Sequence, residues 1–158
     1  AWANAREPLD VLVLDFPPGT GDIQLTIAQR LPLSGAVIVS TPQEVALADV
    51  RRGIVMFDST AVPILGIVEN MAWLEQADGT RLHLFGEGGA RRTAEAFGAP
   101  FLGELPIDVR LRESADAGRP LVATDPDHPV SQRFAAIARQ TLANMRAATK
   151  PPPVIRVE

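Results

Sequence analysis

Residues 11–22 read Val11-Leu12-Val13-Leu14-Asp15-Phe16-Pro17-Pro18-Gly19-Thr20-Gly21-Asp22. Four apolar residues with β-branched content, bounded by Asp10 and Asp15, predict a strand buried on both faces. A carboxylate ends the run, and a Pro/Gly loop leads on to a helical pattern that opens at Asp22. In an open parallel sheet, ligands bind at the carboxyl ends of the strands, which is where Asp15 is expected. A carboxylate there is suited to hold Mg²⁺ through water and to orient an attacking water. Gly19 offers a bare backbone N–H to a terminal phosphate, where a side chain would clash. The plain alternative is that Asp15 ends a strand and Pro17-Pro18-Gly19 is only a turn.

Working outward, residues 36–39 (Ala-Val-Ile-Val) and 64–68 (Ile-Leu-Gly-Ile-Val) have the same strand character, and residues 101–105 are a weaker candidate. Helical patterns lie between them. Residues 22–31 place Ile23, Ile27 and Leu31 on one stripe. Residues 43–57 carry Val45, Ala48, Arg52, Val55 and Met56 at mixed spacing, with Gly53 weakening the pattern. Residues 89–97 and 129–145 also read as helices, the second with Phe134, Ile137, Ala138 and Leu142 on one stripe. Strands alternating with helices of this length predict βαβ units, hence an α/β fold with a parallel sheet and helices on both faces. Asp78-Gly79 is a turn signal, so Leu74 and residues 82–84 are expected to flank a small hairpin.

The chain has 158 residues, 46% hydrophobic and 22% charged, enough for one domain burying roughly 70% of its unfolded surface. A formal charge of -4 argues against a broad nucleic-acid surface, since phosphate-gripping proteins carry a basic excess. No apolar run reaches membrane-spanning length, and the first residues have no signal-peptide core, so cytoplasm is the expected compartment. There is no Cys, so neither disulfides nor thiolate metal sites arise from this chain alone.

Residues 14–22 resemble the D-x-P-P-G-T-G-D signature of the Mrp/ApbC P-loop ATPases, relatives of MinD, ParA and the nitrogenase iron protein. Five further blocks follow in the family's order: residues 39–47, the V-E-N-M block at 68–71, the F-G-x-G-G block at 85–89, residues 102–108 and residues 116–120. The resemblance implies a P-loop NTPase fold of the SIMIBI/MinD-like kind. Residues 1–149 would be the C-terminal part of one ATPase domain, and residues 150–158 an extended Pro-rich tail. It implies ATP and Mg²⁺ as ligands, homodimerisation, and work with iron–sulfur assembly or client proteins. Asp15 would serve Mg²⁺ and the water, and Gly19 would sense the γ-phosphate. Asn70 would read adenine, its amide offering both donor and acceptor. Pro106 and Asp108 would pack on base and ribose. The plain alternatives are an Asx-turn at Asn70 and an ordinary turn into a helix at Pro106 and Asp108.

Two departures set limits. No G-x-x-x-x-G-K-[ST] is present, and the only Lys is Lys150; the phosphate-cradling loop is expected upstream of Ala1. The chain alone is therefore expected to bind ATP weakly and to be inactive. The C-x-x-C that many family members carry after V-E-N-M, used to bridge an iron–sulfur cluster, is replaced by residues 72–81 without a thiol. The competing readings are a MinD/ParA-like positioning ATPase and a scaffold without metal chemistry. The Gly86–Arg91 stretch fits a helix N-terminal turn better than a dinucleotide fingerprint, because Arg91 takes its sixth position. His83 and His128 are expected to be solvated or hydrogen-bonded rather than metal ligands. Without a neighbouring P-loop strand, residues 11–14 would leave a bare edge, so pairing with a second copy is expected.

Overall fold

The computed structural model describes residues 9–148. The Pro-rich tail and the first eight residues lie outside them. The elements run α1 (Asp22–Arg30), β1 (Ala36–Ser40), α2 (Glu44–Ser59), β2 (Ile64–Glu69), β3 (Leu74–Glu75), β4 (Arg81–Leu82), α3 (Gly89–Phe97), β5 (Phe101–Glu104), α4 (Val109–Asp116), α5 (Leu121–Thr124) and α6 (Pro129–Ala148). Strands β1, β2 and β5 form a parallel sheet in the order β1-β2-β5. The hairpin at the Asp78-Gly79 turn is present as the antiparallel pair β3 and β4.

The central strand β2 shows why helices flank both faces. Its side chains alternate, so Ile67 enters a cluster with Leu47, Val50 and Ile54 of α2 and Ala90 and Ala94 of α3. Val68 points the other way, joining Leu102 and Leu105 under Phe134 and Ile137 of α6. Ile67 is fully buried, which contributes about 1.5–3 kcal/mol. A third cluster of Ala28, Ala36 and Val62, with Leu33, Phe57 and Ile64, sits at the amino ends of β1 and β2.

The mixed pattern of α2 resolves to one buried row, and the expected stripe of α1 is rotated. In α2 the buried row is Leu47, Val50 and Ile54, while Val45 and Val55 are exposed. In α1 it is Gln24 and Ala28, with Ile23 and Leu31 exposed.

The expected strand at residues 11–14 is not formed. These residues take part in no strand pairing, and Val13 is 85% exposed. A strand exists only while a neighbour takes up its N–H and C=O groups. Among the described residues the sheet ends at β1, and residues 11–14 do not pair with its open edge. What holds the following loop is local: Gln24 Nε2 donates to the carbonyls of Pro17 (3.2 Å) and Pro18 (2.6 Å), and the Phe16 ring packs on Phe57 at 5.9 Å.

Candidate functional site

Several segments meet at the carboxyl end of β2. The Asn70 amide donates to the Ser40 carbonyl at the end of β1 (2.6 Å). Its side-chain Oδ1 accepts from the Met71 amide at 2.9 Å, and Met71 adopts φ +55°. This contact to the adjacent amide leaves Asn70 Nδ2 without a protein partner among the described residues. The Leu105 amide donates to the Glu69 carbonyl at 2.8 Å, so the loop leaving β5 runs beside the one leaving β2. Ala72 N–H to Leu105 O (3.0 Å) and Ile107 N–H to Trp73 O (2.7 Å) join the two loops. Asn70, Pro106 and Asp108 therefore stand on loops bonded to each other.

Asp108 is also a helix cap. Its Oδ1 accepts from the Leu111 amide at 2.8 Å, and its Oδ2 lies 4.0 Å from His128 Nε2. His83 is hydrogen-bonded as expected, with Nδ1 2.9 Å from the Ala72 carbonyl oxygen.

Asp15 and Gly19 are not brought to this cluster. Both are exposed, and Gly19 has φ +93°. Phe16, next to Asp15, packs on Phe57, which joins the cluster at the amino ends of β1 and β2. No hydrogen bond or ion pair among the described residues ties Asp15 or Gly19 to Asn70. Three of the five expected site residues are thus gathered and two stand apart. The cause is the missing strand: without a partner for residues 11–14, nothing carries Asp15 to the sheet's carboxyl edge.

As a metal ligand Asp15 fits only in company. Mg²⁺ in nucleotide sites takes one or two carboxylates together with waters and phosphate oxygens. No group of three or more His, Cys, Asp or Glu side chains gathers among the described residues.

Two residues of this region were given no role from sequence. Glu69 is 1% exposed; its Oε1 accepts from the Gly88 amide (3.1 Å) and its Oε2 from the Ala90 amide (2.6 Å). Trp73 is 2% exposed, with the guanidinium groups of Arg81 at 4.3 Å and Arg133 at 4.8 Å from its ring centroid. Glu69 carried a usable signal: like Asp15, it is a carboxylate closing an apolar run.

Comparison with known proteins gives the family and the fold. A family model described as ParA, NUBPL iron-transfer P-loop NTPase, matches residues 2–142. The chain belongs to that family. Among curated relatives in this NTPase family, the iron–sulfur cluster transfer protein NUBPL of Dictyostelium discoideum is 50% identical over 138 residues, covering 87% of this chain and 43% of its own. The iron–sulfur cluster carrier protein of Escherichia coli K12 is 50% identical over 141 residues, covering 89% of this chain and 37% of its own. The chain thus spans less than half the length of these NUBPL-type relatives. Among solved structures, the nucleotide-binding protein of Archaeoglobus fulgidus in complex with ADP superposes with a TM-score of 0.63 at 44% identity, over 75% of this chain and 47% of that one. MinD of Aquifex aeolicus superposes with a TM-score of 0.57 at 20% identity, over 85% of this chain and 51% of its own, a likeness of fold alone. The parallel sheet with helices on both faces is accordingly that of the MinD-like P-loop NTPases. No helix of the described residues is long and apolar enough to cross a membrane.

Proposed function

We propose that this chain supplies the base-binding side of an ATP site in an iron–sulfur cluster carrier. The carrier works as a homodimer in the cytoplasm, with hydrolysis coupled to release of cargo or of a client protein. The observation that carries this reading is the convergence of Asn70 with the loop at residues 105–108 at the carboxyl end of β2, the edge where open α/β sheets bind ligands. Asn70 Nδ2 has no partner among the described residues and its carbonyl oxygen has a second lone pair, so the amide has both a donor and an acceptor for adenine. Pro106 and Asp108 flank base and ribose. Asp15 serves Mg²⁺ through water and orients the attacking water, and Gly19 senses the γ-phosphate. Bound Mg²⁺ neutralises phosphate charge. The Asp15 and Gly19 roles require residues 11–14 to pair with a strand that these residues do not supply. Because the chain has no phosphate-cradling Lys loop, the proposal includes weak ATP binding and no turnover by these residues alone.

The test is base preference in the ATPase that joins this chain to a Walker A segment. Asn70→Ala is expected to weaken ATP binding about tenfold while leaving GTP binding unchanged, because a pocket amide aimed at one base edge discriminates by its hydrogen bonds. Unaltered preference in the variant overturns the assignment. The absence of Cys favours a second reading, a MinD/ParA-like ATPase without cluster chemistry. Iron content and turnover separate the possibilities: an iron-free active ATPase supports the second reading, and inactivity supports a scaffold.

A further inference from the structure

Glu69 is the only acidic residue among the buried polar side chains of the described residues. It takes part in none of their ion pairs. A buried carboxylate without a cation is costly unless hydrogen bonds replace its hydration. Here they come from the start of α3, through the Gly88 and Ala90 amides, where the helix dipole favours negative charge. A Ser or Asp at the N-cap would satisfy such amides locally. The N-cap is instead Gly88, at φ +65° and with no side chain, and the acceptor is sent from the end of β2. What the remote carboxylate adds over a local cap is a tie between α3 and the residue that precedes Asn70.

That tie joins others at the same point. The Glu69 carbonyl accepts from Leu105 after β5, and the Asn70 amide donates to Ser40 of β1. The peptide linking Glu69 to Asn70 is thus bonded to both neighbouring strands, and the Glu69 side chain fixes its remaining freedom against α3. We infer that Glu69 is a positioning residue: by holding the start of α3 against the end of β2, its carboxylate sets the direction of the Asn70 side-chain amide. The functional meaning rests on Asn70 reading the base, but the geometric claim is testable without nucleotide.

In Glu69→Gln, one oxygen becomes an NH₂ that must face the Gly88 or the Ala90 N–H, donor against donor. Nuclear magnetic resonance on this chain then reads two signals. Hydrogen exchange of the Gly88 and Ala90 amides is expected to quicken about tenfold or more, and the Asn70 Nδ2 resonances to shift or broaden. Faster exchange with unchanged Asn70 resonances makes Glu69 a helix cap only and overturns the inference. If Glu69→Gln fails to fold, Glu69→Asp decides on the same two signals, because it keeps the charge and reaches one amide rather than two. In the unaltered chain, an Asn70 amide that reorients freely on the nanosecond scale overturns it as well. Should Asn70 respond to Glu69→Gln while Asn70→Ala leaves nucleotide preference intact, the base-reading role falls and the tie stands.

Discussion

Gly89 marks the tightest contact beside the site. A Cβ there would lie 2.5 Å from the Pro42 carbonyl oxygen and 2.7 Å from Leu47 Cδ1. Neither neighbour yields easily, because Leu47 is 1% exposed and the next amide, Ala90, is bonded to Glu69. Gly89→Ala is therefore expected to destabilise the fold by about 1–3 kcal/mol, as overpacking does. The check is a lower urea midpoint at unchanged slope; an unshifted midpoint would show that α3 can slide away from the loop after β1. At this scale the site was partly legible. Asn70, Pro106 and Asp108 are singled out by the family blocks they match, and they stand on loops hydrogen-bonded to each other. Asp15 has the same credentials and stands apart, because a residue's place at a strand end means nothing where no strand forms. Glu69 was legible in kind and passed over, since a buried carboxylate needs donors that only the folded start of α3 reveals.

The elements were legible where local chemistry decides them. Helix α3 begins and ends at the residues the sequence indicates, with glycines in the left-handed region at both caps. The faces of α1 and α2 were not, because α2 carries two apolar rows, and only the position of the sheet selects Leu47, Val50 and Ile54 over Val45 and Val55. The β3–β4 hairpin occupies the stretch where the family's cysteines are expected, and side-chain hydrogen bonds hold its turn. Asp78 accepts from the Thr80 amide (2.9 Å) and hydroxyl (2.6 Å), and Gln76 Nε2 donates to Thr80 Oγ1 (3.1 Å). The Thr80 hydroxyl first, then its amide, hold the Asp78 carboxyl below its ordinary value of 3.8. A depressed carboxyl stabilises the turn above the unfolded value, and that contribution is lost as pH falls through the folded one. The Thr80 amide resonance is expected to stay constant at neutral pH and to move in a step whose midpoint lies below 3.8, with Asp78→Asn abolishing the step. A midpoint at or above 3.8 would contradict it.

At the scale of the whole molecule, the sheet has unequal edges. The β5 edge carries Glu104, paired with Arg91 at 2.9 Å. The β1 edge reads Ala-Val-Ile-Val-Ser with no charge and no Pro, and Val37 and Val39 are 40% and 59% exposed. The five large apolar side chains of residues 9–14 are exposed as well. Such an edge is a template for strand pairing, so this chain is expected to associate with a second copy through β1. Sedimentation should show a dimer that Val39→Lys converts to monomer; a monodisperse unaltered monomer would rule this out. The sequence predicts a bare edge at residues 11–14, but the open edge lies at β1, because which strand ends a sheet is a property of the assembled sheet and not of any segment. The two faces of the sheet also differ in when they can close. Leu47, Ile67 and Ala90 find each other within the first two thirds of the chain, but Val68 and Leu102 wait for α6, whose Asn144 side chain reaches back to the Leu65 carbonyl across 79 residues. On the ribosome, where synthesis proceeds from the amino terminus, the α2 and α3 side of the sheet can be covered before α6 is made, so the nascent sheet spends the interval with one side dry and the other wet.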